Sequence, residues 1–575
     1  MLQSPSPRSH PVLIARKLLL LATFMQGITA DAMQGLEALS ISHKSTMSRL
    51  AEVSSKSVTS DDELVGSLEG IECIMIEAMY HNNAGNFRRA WVTHRRAMTI
   101  AQMLGLDRGA GPRVLLDEHD QGRIDPEHMW YRLVISDRYL SLILGLPQGA
   151  PENPFASPQA LESCTALERL ERMEAVAGGL ILQRNVSGLQ DIAKTQEIDA
   201  LLQEITTLMP PQWWLAPRAA ALVGDNSQAL HQTIRLMNQF THYHLLAQLH
   251  LPYLLRHSEG GQYEYSKATA VMASREILTR FVSFRGSVSV AAYCRGIDIL
   301  AFIASTVMSL AHIRARLPQH VKENDRGDTL PMLAHQRLSD RALLEHTLEC
   351  ISKMAEGGKD VLACKISSIL ERLLDIEDNA TKGEPYRTTV SPEPDEAESQ
   401  HADRASGVGH TLRIHIPYFG TIKIEHRSMS SSVGVEQASL GGESRAYPAL
   451  DSLAHHRDYH PRGLSQEHGR GGPGVGESIP FTPDPVGCGE HADADGQPFS
   501  PERDLPTTGP GVQSGTAALE VDIFDLGHAG VDTTALFGPG STADVDDWGL
   551  QGVDMALFDS LIRGVAEPGA DPDAD

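Results

Sequence analysis

Chemistry-bearing residues are plentiful in this chain, but few stand at spacings that chemistry uses. His242 and His244, within IRLMNQFTHYHLLAQLHLPYLL, form a His-x-His pair that invites a metal reading. Residues two apart on a helix point to different sides, so the pair reads instead as structural histidines. Cys294 beside Arg295 has the makings of a thiol whose pKa a neighbouring cation lowers. No His or Asp follows it in any local signature of a cysteine nucleophile. Asp298 reads as a helix-start residue or as an internal ion-pair partner for Arg295. The six cysteines stand at 73, 164, 294, 350, 364 and 488, with no C-x2-C pair, so neither a disulfide framework nor a zinc module follows. No Gly-rich phosphate loop and no G-x-S-x-G elbow occurs. No enzyme, cofactor or metal is expected from this text.

The elements that would position any site are helical. The stretch from Gly85 to Pro147 is the clearest. Phe87, Trp91, Met98, Ala101 and Leu104 fall close to helical spacing, with Arg88, Arg89, Arg95 and Arg96 between them as a solvated face. Asn86 can cap this helix and Gly105 suits its left-handed stop. A second helix carries Trp130, Leu133, Val134, Asp137, Leu140 and Leu144. Asp125 and Pro126 open it, Gly145 ends it and Pro147 forbids its return. Earlier, HPVLIARKLLLLATFMQG begins at His10 as an amphipathic to buried helix. Arg16-Lys17 before the leucines faintly copy a signal peptide, but the apolar run is short. Proline punctuates 151–158 and helices resume near Leu161. The run ILAFIASTVMSLAHI falls short of the ~18 apolar residues of a membrane span and reads as a core helix.

Wording, beyond periodicity, carries a resemblance. Gly85-Asn86-Phe87 with Ala90-Trp91, then Ala97, Ala101 and Leu104-Gly105-Leu106, resembles the regulatory region of fungal zinc-cluster transcription factors. So do Trp130 with Asp137-Arg138 and Gly145-Leu146-Pro147, although Leu146 stands where that family commonly has Arg. His250-Leu251-Pro252-Tyr253 and Cys294-Arg295 followed by Asp298 and Ala301-Phe302 are similar to two later blocks. The resemblance covers roughly residues 10–375. It implies an all-α regulatory domain of stacked antiparallel helices. It also implies control of transcription in a fungal nucleus, often of a secondary-metabolite gene cluster. The family's C-x2-C-x6-C spacing occurs nowhere in these residues, so no DNA contact by a zinc cluster of this chain is expected. A DNA-bound partner, a homodimer or an upstream zinc-cluster exon would supply it.

Charge agrees with that division of labour. The 575 residues carry a formal net charge of −25, which leaves no general footprint for nucleic acid. Scattered cysteines suit a reducing compartment. Residues 1–9 read as a loose start, 376–410 and 427–510 as disordered linkers, and 411–426 as a short β-like island with Leu412, Ile414, Ile416, Ile422 and Ile424 alternating. The C-terminal third is expected to be largely disordered. Its end, 511–575, holds eleven Asp and two Glu against Arg563 alone. Bulky side chains are spaced among those acids, the composition of an amphipathic activation segment. Asp546, Asp547, Trp548, Leu550, Leu557, Phe558 and Leu561 are its candidate contacts for a transcriptional coactivator, captured as a short helix in a groove. Docking on the chain's own core is the alternative. A rival reading is a ligand-sensing or scaffold protein in which Trp213, Trp214, Phe240 and Tyr243 enclose a pocket for a small-molecule effector. No membrane partner is expected.

Overall fold

A computed structural model describes residues 5–28, 42–109, 114–116, 124–189, 191–222, 227–256, 261–287, 294–315, 331–356, 360–391 and 411–426. These residues belong to one of the chain's two compact units; the other, Ser430–Thr516, lies outside the described residues. So do the candidate activation residues from Asp546 to Leu561.

Local signals start and stop the helices much as the sequence directs. Helix α1 (Pro11–Gln26) opens on a proline in its first turn. α2 (His43–Ser54) and α3 (Leu68–Asn83) are capped by Ser42 and Ser67, whose side-chain oxygens accept from backbone N–H groups three residues on. α4 (Phe87–Met103) and α5 (Pro126–Leu144) form the hairpin expected from 85–147. Gly105 and Gly145, with φ of 77° and 72°, supply the left-handed stops. Asp125 caps α5 through a 3.1 Å bond to the Glu127 N–H. Asn86 departs from expectation: it sits at the start of α4, but its side chain makes no cap bond.

After a short α6 (Pro158–Glu162) come α7 (Ala166–Ser187), α8 (Ile192–Thr206), α9 (Ser227–His250) and α10 (Glu264–Ser287). The helical part closes with α11 (Arg295–Ala315), α12 (Pro331–Ala355) and α13 (Val361–Thr381). Successive helices pack pairwise: α3 on α4, α4 on α5, α9 on α10, α10 on α11 and α12 on α13. The all-α expectation holds. α11 is the one described helix long and apolar enough to cross a membrane, and it is wholly buried inside the protein.

The span 376–410 departs from its reading as linker. α13 runs on to Thr381, and β1 (Tyr386–Ser391) follows. β2 (Thr411–Ile416) and β3 (Gly420–His426) are the expected hairpin, and β1 pairs antiparallel with β3, giving the order β1-β3-β2. β1 escaped composition because its apolar positions are few, and its paired residues lie 30 to 40 positions on.

Two apolar cores result, and the α4–α5 hairpin serves both. Ala97, Met98 and Ala101 of α4, with Trp130, Leu133 and Val134 of α5, join a core made with α1, α2 and α3. Phe87 and Ala90, with Leu140, Leu142 and Ile143, join the larger core of α7–α13 and the sheet. Gly70 shows how closely the first core is fitted: a Cβ there would lie 2.6 Å from the Val65 carbonyl carbon, and backbone cannot move aside cheaply. Gly70→Ala should therefore cost about 1–3 kcal/mol despite its better helix propensity. Urea unfolding of the two proteins side by side reads this; an unchanged or raised midpoint would contradict the fit.

Candidate functional site

The hairpin's second half carries polar residues on its buried side, and their partners define the best-built site among the described residues. Asp137 and Arg138 are both almost fully buried. Asp137 accepts from Arg95 Nε at 2.5 Å and from the Gly149 N–H at 2.6 Å. Arg95 also donates to the Pro147 carbonyl and lies 4.6 Å over the Trp91 ring. Trp91 Nε1 donates to Ser141 Oγ, which in turn donates to the Pro147 carbonyl at 3.2 Å. Arg95 is thus a strut between α4 and the end of α5, not part of the solvated face that its Arg-Arg spacing suggested. Arg96 does pair with the exposed Asp62.

Arg138 faces the other way. It donates to the carbonyls of Ala175 (2.8 Å) and Ala150 (3.0 Å), reaches those of Pro151 and Glu152, and binds Gln148 Oε1 and Asn153 Oδ1. Apart from Ala175 in α7, these acceptors are oxygens of the proline-containing connector 148–153, whose carbonyls no helix satisfies. Burial pushes this guanidinium down to about 10, partly offset by the charges of Asp137 and Glu152, so it stays charged at neutral pH. Gly179 gives it room, since a Cβ there would lie 2.7 Å from the guanidinium carbon.

The sheet lands on the same place. Tyr418 sits at the tip of the β2–β3 hairpin with a φ of 62°, a conformation uncommon for a bulky residue. Its hydroxyl donates to the Leu146 carbonyl, with Ser141 O at 3.3 Å. Pro417 lies against Gly145, where a Cβ would come within 3.2 Å. The β-like island at 411–426 is therefore docked onto the Gly145-Leu146-Pro147 turn.

The buried Arg184 and Arg280 and the half-buried Arg235 repeat the device. Arg184 donates to Leu249 O at 2.6 Å and Thr195 Oγ1 at 3.0 Å. Arg235 holds the carbonyls of Gln212 and Trp213, and Arg280 holds that of Trp214 at 2.7 Å. Trp213 and Trp214 meet edge-on at 4.7 Å, and Trp214 also meets His242 at 4.7 Å. These rings fill space against one another, and Phe240 is buried in the core. A separate small cavity lined by His244, Gln248, Ser274, Leu300 and Val307 has room for about one water.

The chemistry-bearing residues singled out from sequence go mostly to structure. Asp298 is the expected partner of Arg295 at 2.9 Å and pairs with Arg285 as well, while Arg295 reaches Asp360. This chain of charges ties α10, α11 and α13 together. Cys294 lies just before α11 at a φ of 56°. His242 Nδ1 stands 3.2 Å from Glu174, and His250 bridges Asp199 and Ser266. Among the described residues no group of three or more His, Cys, Asp or Glu could hold a metal.

Known proteins share much of this sequence. The dehydrocurvularin biosynthesis regulator of Aspergillus terreus is 34% identical over 586 residues, covering 98% of this chain and 74% of the relative. A regulator of the same name from Alternaria cinerariae is 36% identical over 445 residues, or 77% of this chain and 56% of its own length. Transcription factor sdnS of Sordaria araneosa is 31% identical over 587 residues, covering 97% of this chain and 69% of its own. The chain belongs to the fungal transcription regulators. No family model and no solved structure matches it significantly.

In this regulator the clamp makes two quantities measurable. Arg138→Met keeps bulk but leaves buried carbonyls without donors, so stability should fall by about 3 kcal/mol or more. Tyr418→Phe removes one hydroxyl bond and should cost about 0.5–1.5 kcal/mol. It should also speed proteolytic cutting within 411–426. Equal unfolding midpoints for Arg138→Met and the parent would refute the clamp.

Two histidines set a pH dependence. Burial drives His244 down to about 4; burial first, then the Arg280 charge, drives His242 to about 4. In the unfolded chain each imidazole takes its proton near pH 6.5. Between pH 6.5 and 4 the unfolded state therefore binds more protons, and stability falls as pH drops through that window. Each contributes about 1.4 kcal/mol per pH unit there. His244→Phe should flatten the curve by about one proton in stepped-pH urea unfolding. An unaltered slope would mean that His244 is protonated in the fold.

Proposed function

We propose that this chain regulates transcription of a secondary-metabolite biosynthetic gene cluster in the fungal nucleus, through contacts with other proteins. The observation that carries this reading is the relation along nearly the whole chain to a biosynthesis regulator and to a transcription factor. It is supported by a described body of closely packed helices. DNA contact comes from a DNA-bound partner, from a homodimer, or from a DNA-binding segment outside these residues. The helical body carries the protein–protein contacts. The acidic end, 511–575, recruits a coactivator through Trp548, Leu550, Leu557, Phe558 and Leu561, kept exposed by Asp546, Asp547 and their neighbours.

A reporter assay tests the recruiting end. Residues 511–575 fused to a foreign DNA-binding module should activate the reporter at least severalfold. Trp548→Ala with Phe558→Ala should remove most of that activity. A silent fusion would end the activation reading. For the whole chain, its deletion should lower transcripts of a contiguous set of biosynthetic genes; unchanged transcripts under producing conditions would count against the regulatory role.

A further inference from the structure

The three-stranded sheet ends on a strand with one free side. In the order β1-β3-β2, β2 pairs with β3 alone among the described residues. An antiparallel strand of six residues turns about half of its backbone groups away from a single partner, so about three amides of β2 face outward. Its apolar side chains, Leu412, Ile414 and Ile416, are buried beneath the sheet. Across the outer face the middle row reads Thr389, Lys423 and Arg413 on β1, β3 and β2. Arg413 and Lys423 therefore stand directly opposite each other, a like-charge pairing that destabilises a sheet. Lys423 has Glu425 at 2.5 Å on its own strand. Arg413, on the free edge, has no carboxylate within ion-pair distance among the described residues. With Arg387 and Glu425 in the neighbouring row, the face is formally +2 on a chain of net −25.

We propose that the free edge of β2 receives an extended acidic segment of another protein, which joins the sheet as a fourth strand. Charge complementarity selects the occupant. A strand laid beside β2 places a side chain directly opposite Arg413. A carboxylate there supplies the partner that Arg413 lacks and offsets the repulsion from Lys423. The next outward positions of the added strand meet Thr411 and His415, so its outer side is polar along its length. The backbone selects an extended peptide. Outward N–H and C=O groups of β2 are both satisfied by a strand in register, whereas a phosphate backbone offers acceptors only and leaves the carbonyls without donors. Docking needs no rearrangement, because Pro417 and Tyr418 already fix the hairpin on the Gly145-Leu146-Pro147 turn. The expected recognition element is a segment with acids at every second position. The inference concerns a partner of the folded body and does not depend on any activity of 511–575.

Amide hydrogen exchange of the purified full chain, read by mass spectrometry, tests this with the alternating peptide (Glu-Val)6 as probe. At low salt the probe should slow about three further amides within 411–416 at least tenfold. Added salt should reverse the effect. A probe N-methylated on its glutamates and one N-methylated on its valines should differ at least fivefold in affinity, because only one alternate set of N–H groups faces β2. R413E, which turns the like-charge pair into an opposite one and so spares the sheet, should bind (Glu-Val)6 at least fivefold more weakly. It should also bind (Lys-Val)6 more tightly than the parent does. Unchanged exchange in β2 with the acidic probe overturns the proposal and leaves Arg413 as a charge that keeps the edge unpaired. Equal affinity for the two methylated probes overturns it by reducing the contact to charge. Equal protection of 411–416 by a short DNA duplex overturns it in favour of a nucleic acid. Outward amides that are already slow before any probe is added overturn it as well, since the edge is then filled by the chain itself or by a second copy.

Discussion

Guanidinium groups bound to loop carbonyls hold this protein together. Stacked helices leave an accounting problem at their ends, where carbonyls face inward without an N–H to accept from. Proline-rich connectors worsen it by removing donors. Arg138, Arg184, Arg235 and Arg280 answer it from neighbouring helices, each reaching backbone oxygens of a connector or helix end. A guanidinium suits the task because its donors form a planar fork and its charge survives burial. The desolvation cost is met mainly by several hydrogen bonds to oxygens, with a carboxylate partner, Glu276, only at Arg280. Removing any one such arginine strands several oxygens at once.

This constraint explains why the α4–α5 hairpin is central. α4 and α5 contribute to both apolar cores. Arg95 and Asp137 lock the two helices together, and Arg138 locks α5 to α7 and to the 150–153 connector. The turn at Gly145-Leu146-Pro147 then becomes a rigid platform, on which Tyr418 settles from a hairpin more than 270 residues away in sequence. The larger core adds a second cement to its arginine–carbonyl bonds, the Arg285–Asp298–Arg295–Asp360 chain and the Arg275–Asp340–His312 group.

Much of this was legible residue by residue. Helical periodicity placed α4, α5 and α11. Asp125-Pro126 and the glycines at 105 and 145 marked ends that the structure keeps. Asp298 was readable as the partner of Arg295 because the two lie three residues apart on one helix. Arg95 misled: its neighbours gave it the spacing of an exposed face, while its carboxylate lay in another helix. Asn86 misled also, since a residue suited to capping need not make the bond. β1 was hidden inside a stretch of linker composition. Arg184 and Arg280 carried a faint signal, a single arginine within an otherwise apolar helical stripe, that could have marked them as buried.

Sequence by itself determined the helical class, most helix limits, the kinship to fungal transcription regulators and the acidity of the C-terminal end. All of these follow from interactions between residues a few positions apart or from bulk composition. Tertiary structure alone decided which arginines go inside, that β1 joins β3, and that the sheet rests on the hairpin turn. Those outcomes depend on which oxygens are left unsatisfied once the helices have stacked. No local spacing records that, because donor and acceptor are brought together only by the fold.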